Sequence, residues 1–531
     1  MIRKLLLSAT ALAAVLPGTA QADWYQASSK HFVVYSNDTP DKVKAYTEKL
    51  ERFDKAISVF HVTPETKRGP ASRVTIFVVN NVGDVGKLAG NSSVAGFYSA
   101  RVSGSVAFMP RVGGGGDLSA QAILFHEYTH HWMFLNWSDA AFPYWFVEGF
   151  AELHATAIVR PDGGYTFGAA PTYRRFTVAD SGRMPADVLL RAKPSDNLDG
   201  YSIDAVYGRG WLLMDYLTFD DDRRKQLAAY IGAINNGKSF DEAAGLLGSM
   251  NTLDVKMNAW GRRPQLKSMS FSAAELPIGE VTMRKLSDGE AAVMPALIRS
   301  KAGVDEKLSK ENVELARTLA APFPNDAGAQ NELAEAEYDA ASSNKDDAQA
   351  IAGFSRAEAA ADRAIAADPK SIHALVYKGM AQVEIAKRQK VTDPARWTAI
   401  RKWFLTANKV DTEDPEPLVE YYDSFEAAKM KPTANAENAL IYAYVLAPYD
   451  IGLRLRATRV FLGQNKIKEA RVALGPAAFN AEGPGIAEKG QKVLAAINAN
   501  DIPGAIKILD TKDDDKKDGK GKDGKDPKKG S

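Results

Sequence analysis

Cysteine is absent from all 531 residues. That excludes a thiol nucleophile, a disulfide framework and a cysteine-linked lipid anchor. Without disulfides, stability must come from core burial. Long apolar runs are missing as well. The apolar stretch at residues 5–16 falls short of the ~20 residues that span a bilayer. Neither sign of charge dominates, since 67 Lys and Arg face 66 Asp and Glu for a formal charge of +1. Removing residues 1–22, which hold Arg3, Lys4 and no acid, makes it −1. Such a balance argues against a nucleic-acid binder or a polybasic membrane-surface protein. No G-x-S-x-G occurs, so a serine-hydrolase elbow is excluded too. Gly113, Gly114, Gly115 and Gly116 lack phosphate-loop spacing and read as a flexible connector bordering a cleft.

Histidine is scarce, with seven in the chain, and two of them stand in a telling pattern. Phe125-His126-Glu127-Tyr128-Thr129-His130-His131 contains H-E-x-x-H. On a helix, positions i and i+4 lie one above the other, so His126 and His130 present two imidazoles to one cation. Glu127 lies between them, placed to take a proton from water. Ala122, Ile123, Leu124 and Phe125 before the motif and Trp132, Met133 and Phe134 after it carry no charge. The helix is therefore expected to be buried, and its histidines to need partners. Further on, Trp145-Phe146-Val147-Glu148-Gly149-Phe150-Ala151-Glu152 supplies Glu148 as a third ligand, completing the His2Glu set of a catalytic zinc. Glu152, four residues later on the same face, is placed to accept a hydrogen bond from the free nitrogen of a ligand histidine.

H-E-x-x-H followed by W-x-x-E-G-x-A resembles the gluzincin branch of zinc peptidases, which includes thermolysin and aminopeptidase N. Ala205-Val206-Tyr207-Gly208-Arg209-Gly210-Trp211 resembles the V-Y-x-K-G element of aminopeptidase-N-like enzymes, with Arg209 where that family has lysine. The resemblance covers residues 23–260 and is nearest to peptidase-MA-like domains of bacterial secreted proteins. It implies one zinc per chain held by His126, His130 and Glu148. It also implies Glu127 as general base, Tyr207 as oxyanion donor and Glu152 as the carboxylate orienting the first histidine. The G-A-M-E-N segment that grips a substrate's free amino terminus has no counterpart, which speaks against aminopeptidase action.

The chain begins like a secretory leader: Arg3 and Lys4, the short apolar run, then Pro17-Gly18 and an Ala20-Gln21-Ala22 cleavage site. A periplasmic or extracellular protein without a membrane anchor is expected. Strands are expected at residues 32–36, 74–79 and 104–109, and an amphipathic helix at 41–60 with Val43, Tyr46, Leu50, Phe53, Ile57 and Phe60 on one face. In gluzincin-like domains the strand before the metal helix is an edge that pairs with extended substrate, which the resemblance carries over to 104–109. Pro264, Pro277 and Gly279 mark a junction. Beyond it, Pro324, Pro369, Pro415 and Pro448 punctuate Ala-rich amphipathic runs. The segment from Ala361 to Gly379 resembles a tetratricopeptide (TPR) repeat, although only the last proline interval is near the expected ~34 residues. Either an irregular solenoid with a concave binding face or a plain helical bundle results. Residues 511–531, with eight lysines and six aspartates, cannot bury anything apolar.

The expected fold class is an α+β thermolysin-like zinc peptidase domain followed by an all-α TPR-like solenoid. Its expected parts are a leader at 1–22, the metallopeptidase domain at 23–262, a linker at 263–290, helical repeats at 291–510 and a tail at 511–531. The expected partners are a peptide or protein substrate and a protein on the repeats, with no nucleic acid. Two other functions fit: a cell-envelope binding or scaffold protein with minor or no hydrolase activity, and a zinc amidase acting on cell-wall crosslinks. His131 is expected to point away from the metal face, and His31, His61, His154 and His373 have no partner at ligand spacing.

Overall fold

The computed structural model describes residues 23–65, 68–92, 94–112, 119–194, 196, 198–236, 238–479 and 484–511. The leader at 1–22, the four-glycine connector and the tail beyond Thr511 lie outside them. The chain is mainly helical with a small amount of sheet, and it forms two compact units. Among the described residues no helix is long and apolar enough to cross a membrane.

The first unit joins the N-terminal strands to helices from the middle of the chain. Its strands are β1 (Tyr25–Ser28), β2 (Phe32–Ser36), the main part of β3 (Val74–Asn81), and β9 (Thr282–Lys285). They lie in the order β3-β2-β1-β9. β1 pairs antiparallel with β2, Tyr25 opposite Ser36, and with β9, Tyr25 opposite Lys285. β2 shows why 32–36 reads as a strand: Phe32, Val34 and Ser36 are buried while Val33 and Tyr35 are less so. Six helices from Asp288–Ala302 to Pro394–Val410 complete this unit. Consecutive helices pack on one another, and Ala327–Ser342 also meets the helices two before and two after it. Small residues permit the close packing. Ala360, Ala361, Ala364 and Ala374 are fully buried, and a Cβ on Gly379 would lie 2.5 Å from the Phe404 ring.

The second unit holds the sequence motifs. The hairpin β4 (Phe97–Ser99) and β5 (Val106–Val112) precedes the first metal helix, Ala120–Asn136. Here the structure corrects the expectation of a free edge: β4 pairs with Val106, Ala107 and Phe108 of β5. A second metal helix, Tyr144–Ala155, follows, with every residue buried. β6 (Ile158–Val159), β7 (Tyr165–Phe167) and β8 (Met269–Phe271) form a three-stranded antiparallel sheet. β8 and β9 both arise within residues 263–290, the stretch expected to be a linker. The tyrosine helix, Gly200–Phe219, is capped by Asp199, whose side chain accepts from Ser202 N.

The helical region expected at 291–510 is shared between the units. Its last six helices, from Pro415–Ala427 to Ile502–Asp510, belong to the second. They pack around a core that includes Leu418, Leu440, Leu453 and Phe461, and Leu135 of the first metal helix joins that core.

Candidate metal centre

The first metal helix starts where the Ser119 hydroxyl accepts from Ala122 N at 3.1 Å, satisfying one of the free N–H groups at a helix start. Apolar side chains then fix its rotation. Phe125 stacks on Phe53 at 3.7 Å, and Trp132 and Met133 are buried. With those positions inward, His126 and His130 share a face, their Nε2 atoms 3.1 Å apart. The second metal helix brings Glu148, fully buried, to the same point. Its Oε2 is 3.3 Å from His126 Nε2 and 3.7 Å from His130 Nε2. Glycine makes that approach possible, because a Cβ on Gly149 would lie 2.4 Å from Gly210 O on the tyrosine helix.

These three residues form a buried group able to hold a metal ion. Neither Glu148 oxygen makes a well-formed hydrogen bond, and Oε2 has the two imidazoles at 3.3 and 3.7 Å, an arrangement that a cation among the three would complete. The spacing suits one: ligands at about 2.0–2.1 Å around a tetrahedral ion stand about 3.3–3.4 Å apart. Electrostatics agree. Burial pushes the His126 imidazole down, but Glu148 and Glu152 outweigh it and hold its pKa well above the ordinary value. Burial pushes the Glu148 carboxyl up, and His126 and His130 override it, holding it at about 2. A positive charge is favoured at this point, and the donors fit a divalent cation.

Glu152 sits behind His126, with Oε1 3.4 Å from Nδ1. That contact turns Nε2 toward Glu148. Glu152 is in turn held by residues that have no recognisable spacing in the sequence. Tyr173 donates to its Oε2 at 2.7 Å and Arg174 to its Oε1 at 3.0 Å. Arg174 also pairs with Asp204, which accepts from Thr177 Oγ1 at 3.0 Å. The Arg174 guanidinium lies 4.8 Å from the Tyr207 ring centre, and the Tyr207 ring stacks on His126 at 5.7 Å. Tyr207 therefore stands beside the cluster. Burial raises its hydroxyl pKa well above the ordinary value, and the charges of Glu148 and Glu127 add to the effect. Glu127 is half-buried, and no hydrogen bond or ion pair engages it among the described residues.

Other sequence expectations find their places. His131 leaves the metal face, its Nδ1 2.8 Å from the Tyr98 hydroxyl. Arg209, which stands where the resembling element has lysine, is fully buried. It donates to Met184 O at 3.1 Å, to Asn258 at 2.6 Å and to Asp254 at 2.9 Å. His373 meets Glu335 at 3.3 Å. His61 and His154, without ligand-spaced partners in the sequence, pair with each other at 3.0 Å across 93 residues. No protein-family model matches the chain, and no curated protein matches it.

Proposed function

We propose that the protein is a zinc-dependent peptidase of thermolysin-like, gluzincin type, acting in the periplasm or outside the cell. The observation that carries this reading is the buried triangle of His126, His130 and Glu148, in which neither Glu148 oxygen makes a well-formed hydrogen bond, with Glu127 next to His126 on the same helix. A zinc ion bound there would supply a Lewis acid, lowering the pKa of water and polarising the scissile carbonyl. The chain's own residues do the rest. Glu127 removes the proton from the attacking water and returns it to the leaving amine. Tyr207 keeps its proton and donates a hydrogen bond to the oxyanion as it forms. Glu152, with Tyr173 and Arg174 behind it, holds the His126 ring in the orientation that binding requires.

The test separates base from ligand. About one zinc per chain is expected in the purified protein by elemental analysis. Glu127→Gln should keep the metal and the fold yet lower hydrolysis of a casein peptide by roughly 100-fold or more. Glu148→Gln should instead lose metal. A Glu127→Gln variant as active as the parent would refute the assignment of the base, and a chain that takes up no zinc would refute the centre. Running peptidoglycan fragments beside casein distinguishes a peptidase from an amidase.

A further inference from the structure

The second metal helix has two working faces. Glu148 and Glu152 occupy one, while Phe146 and Phe150 occupy another and close a cavity of about 780 Å³. Among the described residues, Phe60, Trp137 and Phe142 also line it, and no member of the metal triangle does. Phe142 stacks on Phe146 at 4.6 Å and Phe146 on Phe150 at 5.7 Å, so the wall presents ring faces and edges. Cavities of this size enclose most of the surface of a drug-sized molecule.

His61 is one of several polar residues in that wall, with Asn136, Asp139, Arg224 and Asn235, and its contact with His154 fixes where its proton lies. His154 Nδ1 lies 2.7 Å from Phe150 O, and only an N–H can face a carbonyl at that distance. Burial holds the fully buried His154 down at about 4, so the ring is neutral and its Nε2 bears a lone pair. His61 Nε2, 3.0 Å away, must then be the donor. Burial, reinforced by His154, also pushes His61 well below the ordinary histidine value. A neutral His61 that donates from Nε2 keeps a lone pair on Nδ1, and His61 lines the cavity. Val62, also in the lining, is 87% exposed and sits at φ 50°, a left-handed conformation that β-branched residues rarely adopt. Thr63 N donates to Ser58 O at 2.9 Å there, so the left-handed residue closes the end of the helix Pro40–Phe60.

We propose that this cavity is a second binding site, for a planar aromatic molecule carrying one hydrogen-bond donor, a phenol-class ligand whose hydroxyl is accepted by His61 Nδ1. Ring faces and edges provide packing for an aromatic guest, and the acceptor fixed on His61 favours a guest that carries a donor. Titration calorimetry of the full chain with 2-naphthol and with 2-methoxynaphthalene tests it. The two probes share a ring system, but only the first can donate. 2-Naphthol should bind saturably and roughly 2- to 12-fold tighter than its methyl ether, the range that one neutral hydrogen bond gives. Leu227→Trp, which places an indole in the cavity wall, should abolish binding of both while leaving zinc content unchanged. His61→Phe should remove the preference between the probes. Absence of saturable naphthol binding, equal affinity for the two probes, or binding untouched by Leu227→Trp would overturn the proposal. None of these readings depends on hydrolysis, so this site and the peptidase reading stand or fall separately.

Discussion

A tyrosine hydroxyl donates to a developing oxyanion only while it keeps its proton, and Tyr207 is surrounded so as to keep it. Burial and the charges of Glu148 and Glu127 all raise its pKa. Because such a bond strengthens in the transition state, Tyr207→Phe should lower kcat by about 100- to 1,000-fold and leave KM and zinc content nearly unchanged. Steady-state kinetics on one cleavable peptide, with metal analysis of the same sample, reads all three. A drop in thermal stability with kcat intact would reassign Tyr207 to the core. Asp215 carries a different kind of expectation. It is fully buried, and burial lifts its carboxyl to about 7 against the pull of the Trp260 N–H at 2.6 Å. A carboxyl raised from an unfolded value near ~3.9 binds more protons when folded, so its contribution is present below pH ~4 and lost as pH rises through about 7. Asp215→Asn cannot ionise. It should therefore be more stable than the parent at pH 8, by on the order of 1–4 kcal/mol, with the gap closing toward pH 4. Urea melts at several pH values check this, and a gap that widened on acidification would contradict it. At this scale, residues tied by helical period were legible: His126 with His130, and Glu148 with Glu152. Arg174, Tyr173 and the His61–His154 pair were not, because their partners are brought together by packing and carry no fixed spacing.

Elements carry the next level of constraint, and one close approach beside the candidate metal centre is between glycines. A Cβ at Gly149 would meet Gly210 O at 2.4 Å, so the second metal helix and the tyrosine helix touch there through backbone. Alanine normally improves a helix interior by roughly 0.5–1 kcal/mol over glycine. At Gly149 that gain is opposed by backbone that cannot yield without moving Glu148 away from His126 and His130. Gly149→Ala is expected to destabilise by about 1–3 kcal/mol and to weaken zinc retention. Gly232→Ala, where a Cβ meets nothing within 4 Å, is the control and should be neutral or stabilising. Thermal melts and zinc competition with a chelator compare the two, and Gly149→Ala behaving like the control would rule out a tight helix contact. A run of β-branched and aromatic residues revealed β2, and a 3.6 period revealed the helix Pro40–Phe60, one face of which is buried. β4, β8 and β9 escaped, since three or four residues hold too few positions for a period to emerge.

Over the whole molecule, the way the helices after residue 290 divide between two compact units was the least legible feature, because apolar stripes say that a helix packs but not against what. Helices that read as one repeat region are divided after Val410 between the two compact units. Those after it share a core with the first metal helix through Leu135, with Phe134 packed against the same core. Arg454, fully buried, donates to Ser138 O at 2.8 Å and to Ala473 O at 3.3 Å, which ties the helix Ile451–Gly463 to the turn after the motif. Asp450, the cap of that helix, accepts from Val102 N at 3.1 Å. A chain ending at Val410 keeps all members of the metal triangle, yet it uncovers Leu135 and leaves the carbonyl of Ser138 without its partner. Burial of a leucine-sized side chain is worth about 1.5–3 kcal/mol, and Leu135 loses its cover together with the partly buried Phe134 and Val102, against a typical total stability of roughly 5–15 kcal/mol. The shortened chain is therefore expected to be protease-sensitive and to hold far less than one zinc per chain, although no ligand has been touched. Limited proteolysis and elemental analysis of the two lengths side by side decide it. If the shortened chain resisted protease and kept its metal like the full one, the last six helices would be an appendage, and the metal helix would owe its position to the aromatic packing around Phe53 and Phe125 alone.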